Sequence, residues 1–258
     1  MEIHHASHKG GNSWLHYLWE FLMLFIAVFC GFIAENQREH FVEKRRAKEY
    51  AYNLIADLQK DIAMCQVIER QIAFQNRTTD SLAGYVKWHD LKQMRNIDLY
   101  VLGSFDRYRP FRWSRATTDE LIHSGSLRYF SDTNLINQIS SYVAYTHHLD
   151  EDFVGDEDRA NSTANRRHEV IDMNYSPVLI YGLRNNMDST LQTHYFKMLS
   201  DTDKTQILAR DIRELRVYVN DKLNVRKNLF IRSHEELPEI IEKAEIIIQL
   251  LKKRYNFQ

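Results

Sequence analysis

Arg107, Arg109, Arg112 and Arg115 alternate with Tyr108, Phe111 and Trp113 in one short stretch of the chain. Guanidinium groups set over aromatic rings bind phosphate or single-stranded nucleic acid. The rest of the sequence supplies no field to support such binding. Its 34 Lys plus Arg face 35 Asp plus Glu, a formal net charge of -1, so nucleic acid is not an expected partner. The stretch therefore reads as a loop whose Arg stems lie on its own aromatics and pair with Asp106 and Asp119. Arg107, Arg109, Arg112, Trp113 and Arg115 remain a candidate interaction patch.

Other residues have ligand chemistry without a complete site. Asp150, Asp152, Gly155, Asp156 and Asp158 are spaced like a calcium loop, but Val154 stands at its fifth position and Asn161 at its twelfth, where Asp or Asn and Glu are needed. That segment reads as a solvated acidic helix surface or turn. His4, His5 and His8 make a tract able to hold a metal, and a tail beside a membrane is the simpler reading. Cys30 and Cys65 are too few for a disulfide framework or a Cys-based zinc site. No phosphate-cradling Gly loop, nucleophile elbow or HExxH is present. The expectation is a protein without catalytic activity, metal or cofactor.

The elements that must position these residues begin with an apolar run. Phe21 to Ala34 is unbroken, and the stretch from Trp14 adds only His16 and Glu20 as polar interruptions. Trp14–Ala34 extends roughly 31 Å as a helix, the thickness of a bilayer core. Glu20 near its edge can snorkel, be protonated or pair with a neighbouring helix, while Trp14, Tyr17 and Trp19 read as an aromatic belt. A cleaved signal is disfavoured because Lys9 is the only upstream cation and Phe32-Ile33-Ala34 lacks an A-x-A pattern. Ala27 and Gly31 form a small-xxx-small pair that shares a face with Glu20, a candidate seam for membrane-helix association. Arg38, Lys44, Arg45, Arg46 and Lys48 follow the span, so the charge bias puts the remaining chain on the cytoplasmic side.

Beyond Glu35 no Gly or Pro interrupts the sequence until Gly84, so the membrane helix is expected to continue into a solvated one. Ala51, Ile55, Leu58, Ile62, Cys65, Glu69 and Ile72 give a heptad stripe with one misfit at Glu69, widened on its flank by Leu54 and Ile68. Asn76 to Asp80 reads as a helix end. Thr117 or Thr118 starts a short helix, a Ser-Gly turn follows, and Ser131 or Asp132 caps another helix. Pro177 and Gly182 mark a break, and Leu191 to Leu199 a short helix. Asp201 or Asp203 opens a long helix through Ile207, Ile212, Leu215, Val219 and Leu223, and Pro238 opens the last one.

Two segments, Glu20 to Asn36 and Leu121-Ile-His-Ser-Gly125-Ser-Leu127 with Leu135, Ile136, Ile139 and Tyr142, resemble an uncharacterised family of single-pass membrane proteins of Bacteroidetes, a domain of unknown function (DUF6090-like). The resemblance implies a bacterial inner-membrane anchor with a helical domain, and no activity. Such proteins carry more basic residues before the span than this chain does, which opposes the orientation read from the charge bias.

The fold expected is mainly α: a tail over residues 1–13, one transmembrane helix over 14–34 and an elongated helical bundle over 35–258. The function expected is a membrane-anchored structural or protein-interaction subunit whose partners are membrane lipid and either a second copy or another membrane protein. The alternative is a sensory or ligand-binding domain signalling through a partner.

Overall fold

The computed structural model describes residues 13–185 and 189–257, with the side chains of residue 13 and residues 183–192 excepted. The histidine tract at His4, His5 and His8 lies outside the described residues, as does Lys9. The protein is helical, with a long apolar N-terminal helix leading into a bundle and no strand among the described residues.

Helix α1 runs unbroken over Ser13–Trp88, 76 residues or about 114 Å. Its first part is long and apolar enough to cross a membrane. From residue 14 to residue 46 every side chain except Glu43 is exposed, and the bundle begins at Ala47. The stretch from Glu35 to Arg46 is therefore a bare stalk of about 18 Å, carrying local ion pairs such as Arg38–Glu35 at 2.6 Å.

The trunk of the bundle is α1, α4 (Thr133–Val170), α7 (Ile212–Ile231) and α8 (Leu237–Tyr255). Helix α4 climbs alongside α1, and α7 and α8 return antiparallel. At the far end Leu82 and Val86 cluster with Val170 and Leu215. At the stalk end Tyr52 meets Phe257, and Asp132, which caps α4 by accepting from the backbone of Asn134 and Leu135, pairs with Arg254. Helix α2 (Asn96–Gly103) lies at the far end and α3 (Ala116–His123) near the stalk. Helices α5 (Pro177–Asn185) and α6 (Ser189–Thr202) pack on each other.

Four sequence expectations change. The helix does not end at Asn76 to Asp80. Thr78 and Ser81 return their hydroxyls to the carbonyls of Gln75 and Arg77, while Thr79, Leu82 and Val86 are buried, so packing carries the helix onward. The stripe is also phased differently. Ala47, Ala51, Leu54, Leu58, Asp61, Cys65, Ile68, Ile72, Gln75, Thr79, Leu82 and Val86 are all buried and alternate steps of four and three. Leu54 and Ile68 are its centre, and Glu69 is exposed because it lies off the stripe.

Residues 203–211 are not helical: Ile207 bridges Ile171, and Asp211 caps α7 by accepting from the amides of Arg213 and Glu214. Pro238 stands in the first turn of the last helix, as expected, and no break separates that helix from α7. A proline cannot bond back to the preceding turn, and the chain widens into a π-helical turn at Arg232–Glu236 that joins α7 to α8. Pro177 and Gly182, expected to mark a break, lie inside α5, with Pro177 opening it.

Ile68→Ala should lower unfolding stability by about 2–5 kcal/mol, and Glu69→Ala should stay within about 0.5 kcal/mol, in denaturant titrations of the detergent-solubilised chain. Equal effects would refute this phase of α1.

Candidate functional site

The site is built on residues 104–115, which have no regular secondary structure. Gly103 lies against Ile171 and Tyr218 of the Leu82 cluster, and Thr117 donates to Asp57 of α1 at 2.6 Å. Between these levels α1 climbs from Asp57 to Leu82, roughly 38 Å at about 1.5 Å per residue. The chain from 103 to 117 has far fewer residues than a helix of that height needs, so it descends extended between α1 and α4.

An extended segment without a sheet partner needs other groups to satisfy its backbone. The amide of Arg109 donates to Gln71 Oε1 at 3.0 Å, that of Arg112 to Met64 Sδ at 2.9 Å, and that of Ser114 to Asp61 Oδ1 at 2.8 Å. At the upper end the Gly103 carbonyl accepts from Tyr218 OH at 3.1 Å, Lys222 Nζ at 3.1 Å and Arg167 Nη1 at 3.3 Å. Lys222 also donates to the Phe105 carbonyl at 3.1 Å and to Asp106 Oδ1 at 2.7 Å, which uses all three of its protons. Gly103 has no substitute here, since a Cβ would stand 2.5 Å from the Tyr218 hydroxyl.

These anchors are buried charges. Lys222 is 2% exposed, and its proton is held less tightly than usual because burial outweighs the neighbouring Asp106. Burial pushes the Asp61 carboxyl up, and hydrogen bonds from Tyr142 OH at 2.7 Å and from Ser114 oppose the shift. Burial, with Asp61 adding to it, pushes the Cys65 thiol up to about 12, so Cys65 serves as a small buried hydrophobe. Lower on α4, Asp156 accepts from Tyr108 OH at 2.7 Å and pairs with Arg232 at 3.1 Å and Arg159 at 2.8 Å.

The candidate patch divides in two. Arg115 pairs with Asp150 at 2.6 Å, the Trp113 indole donates to the same carboxylate at 2.9 Å, and Arg107 bonds Asn161 and faces Glu157 at 3.9 Å. Phe111 stacks on Trp113 with ring centres 5.0 Å apart. These three residues fasten the segment to α4. Asp106, expected to pair with the patch, instead binds Lys222 and Arg167, and Asp119 sits in the first turn of α3. The guanidinium groups of Arg109 and Arg112 are exposed and take no partner among the described residues. They line a groove of about 460 Å3 with Met64, Val67, Ile68 and Pro110.

Glu20, Ala27 and Gly31 are exposed on α1; Glu20 faces His16 at 3.0 Å, and a Cβ on Gly31 would meet nothing within 4 Å. The acidic segment from Asp150 to Asn161 is part of α4, so it does not wrap as a calcium loop, and Asp156 turns inward instead of lying on a solvated surface. His148, Asp152 and Glu236 converge with ligand atoms within 4.8 Å of one another. Arg232 already bonds both carboxylates, and a cation there would have to share them with its guanidinium. At the far end Arg95, Asn96, Asp203 and Thr205 help to line a polar groove of about 610 Å3.

Sequence reading missed Asp61, Arg167, Lys222 and Arg232. For two of them a signal was present: Asp61 occupies a stripe position of α1, and Lys222 lies seven residues from Leu215 on the buried face of α7. No family model matches the chain, and neither the curated proteins nor the solved structures contain a match.

Lys222→Met should cost about 3–5 kcal/mol of stability, because it removes the buried cation paired with Asp106 Oδ1 and the proton that Lys222 gives to each of the Gly103 and Phe105 carbonyls. A loss below about 1 kcal/mol in thermal or denaturant unfolding would contradict that role. Asp61 binds its proton more tightly folded than unfolded, so its contribution to stability falls as pH rises from the ordinary carboxylate range through the raised value. Asp61→Asn should flatten that part of the stability–pH curve, and an unchanged slope would refute the assignment.

Proposed function

We propose that the chain is a single-pass, membrane-anchored structural or interaction subunit that presents the face around residues 104–115 to a protein partner. The observation that carries this reading is the continuity of α1: one helix holds the apolar segment, the bare stalk and the bundle, while Arg109 and Arg112 stay uncompensated beside an apolar groove. A rigid stalk fixes the height of that groove above a bilayer. Membrane lipid and a second membrane helix, met through Glu20, Ala27 and Gly31, are the partners proposed for the span.

The location proposed is a bacterial inner membrane with the bundle in the cytoplasm. Lys9 alone precedes the span within residues 1–13, and Arg38, Lys44, Arg45, Arg46 and Lys48 follow it. The likeness of residues 20–36 and 121–142 to single-pass membrane proteins supports the anchor. A sensory reading draws on the polar groove around Asn96, whose Nδ2 shares its two protons among Asp172 O, Tyr175 OH and Thr205 Oγ1, each at 2.9 Å. Those acceptors already satisfy Asn96, and the interaction reading is preferred.

Alkaline carbonate should leave the full-length chain in the membrane pellet, and its release would sink the anchor. A Gln249→Cys variant should resist an impermeant maleimide in spheroplasts and react once the membrane is opened. Labelling before opening would place the bundle outside the cytoplasm.

A further inference from the structure

The groove of Arg109 and Arg112 is half of a larger pattern. Segment 104–115 has α1 on one side, where Met64 and Gln71 hold it, and α4 on the other, where Asp150 and Asn161 hold it. On α4, Glu151, Val154 and Asp158 are spaced by three and four residues and so form one ridge, next round the helix from Asp150 and Glu157. All three are exposed, Val154 to 59%, and neither acid has an ion pair among the described residues. A basic groove with an apolar floor and an acidic ridge with an apolar centre thus flank the same extended segment.

Their heights agree. Because Asp150 of α4 holds Trp113 and Arg115 while Asn161 holds Arg107, the ridge at 151–158 stands alongside residues 107–113, the stretch that carries Arg109 and Arg112. A two-fold axis through this face and parallel to α1 turns the basic side of one copy onto the acidic side of the other, twice. Two copies anchored in one bilayer are related by an axis of that direction. Resting on the interaction reading above, we infer that two copies of this chain pair through this face, with Arg109 and Arg112 of each set against the partner's Glu151 and the partner's Asp158.

A foreign acidic peptide would use the groove and leave the ridge idle. Lipid headgroups are out of reach, since Met64 lies about 45 Å along α1 from the end of the apolar segment at Ala34. The second copy alone satisfies both halves.

The test is charge reversal in the full-length chain in detergent, read as dimer dissociation by mass photometry, with every variant also carrying Gly31→Ile so that a membrane seam does not mask the result. Arg109→Glu with Arg112→Glu should weaken the dimer at least about tenfold, as should Glu151→Arg with Asp158→Arg, because each places like charges face to face. All four together should restore it, and thermal unfolding midpoints near that of the parent would show the variants folded. A monomeric parent, insensitivity to either reversal, or failure of the fourfold variant to recover overturns the pairing. If the chain is monomeric while the Arg109/Arg112 reversal abolishes a crosslink to another membrane protein, the pairing falls and the interaction reading stands. If neither a dimer nor such a crosslink is found, both fall.

Discussion

An extended backbone packed among helices has no ladder in which to place its amides and carbonyls, and residues 104–115, buried at Ser104, Asp106, Tyr108 and Phe111, impose that requirement on the groups around them. A buried peptide group left without a partner costs on the order of 1–3 kcal/mol. The neighbouring helices therefore supply side-chain partners at spaced intervals: Asp61, Met64 and Gln71 from α1, Arg167 from α4, and Tyr218 and Lys222 from α7. Buried charge follows as a second requirement. Lys222 and Arg167 serve carbonyls and need an anion, which Asp106 of the segment itself provides.

The same constraint shapes the surface. Because Arg107, Tyr108, Trp113 and Arg115 are committed to α4, the segment is pinned along one edge, and Arg109 and Arg112 between them are turned outward beside α1. Arg109 and Arg112 stay exposed as a result, above a floor made by Met64, Val67 and Ile68. The shape of this surface is thus set by backbone satisfaction, and α1 carries it at a fixed distance from the apolar segment.

Much of this was legible in the sequence where one signal acted alone. The apolar segment, the Asp132 cap and the helical bundle needed only hydropathy, a capping residue and periodicity. The phase of α1 was not legible, since Asp61, Gln75 and Thr79 occupy buried stripe positions for reasons that lie elsewhere in the chain. A hydrophobic count moved the stripe toward Ile55 and Ile62 and left Glu69 as a misfit. The start of α7 was misplaced because Ile207 and Leu208 fit a helical spacing, and Ile207 instead bridges Ile171. The arginine patch was visible, but its division into anchored and free members depends on α4, which local sequence does not show.

Amide hydrogen exchange along 104–115 tests the central constraint most directly, because protection of a non-helical, non-sheet segment requires the side-chain acceptors named above. The amides of Arg109 and Ser114 are expected to exchange slowly in the native chain, and Asp61→Ala should release Ser114 while leaving α4 protected. Exchange of Arg109 and Ser114 as fast as in an unstructured peptide would contradict the side-chain-satisfied segment on which the rest of the structure depends.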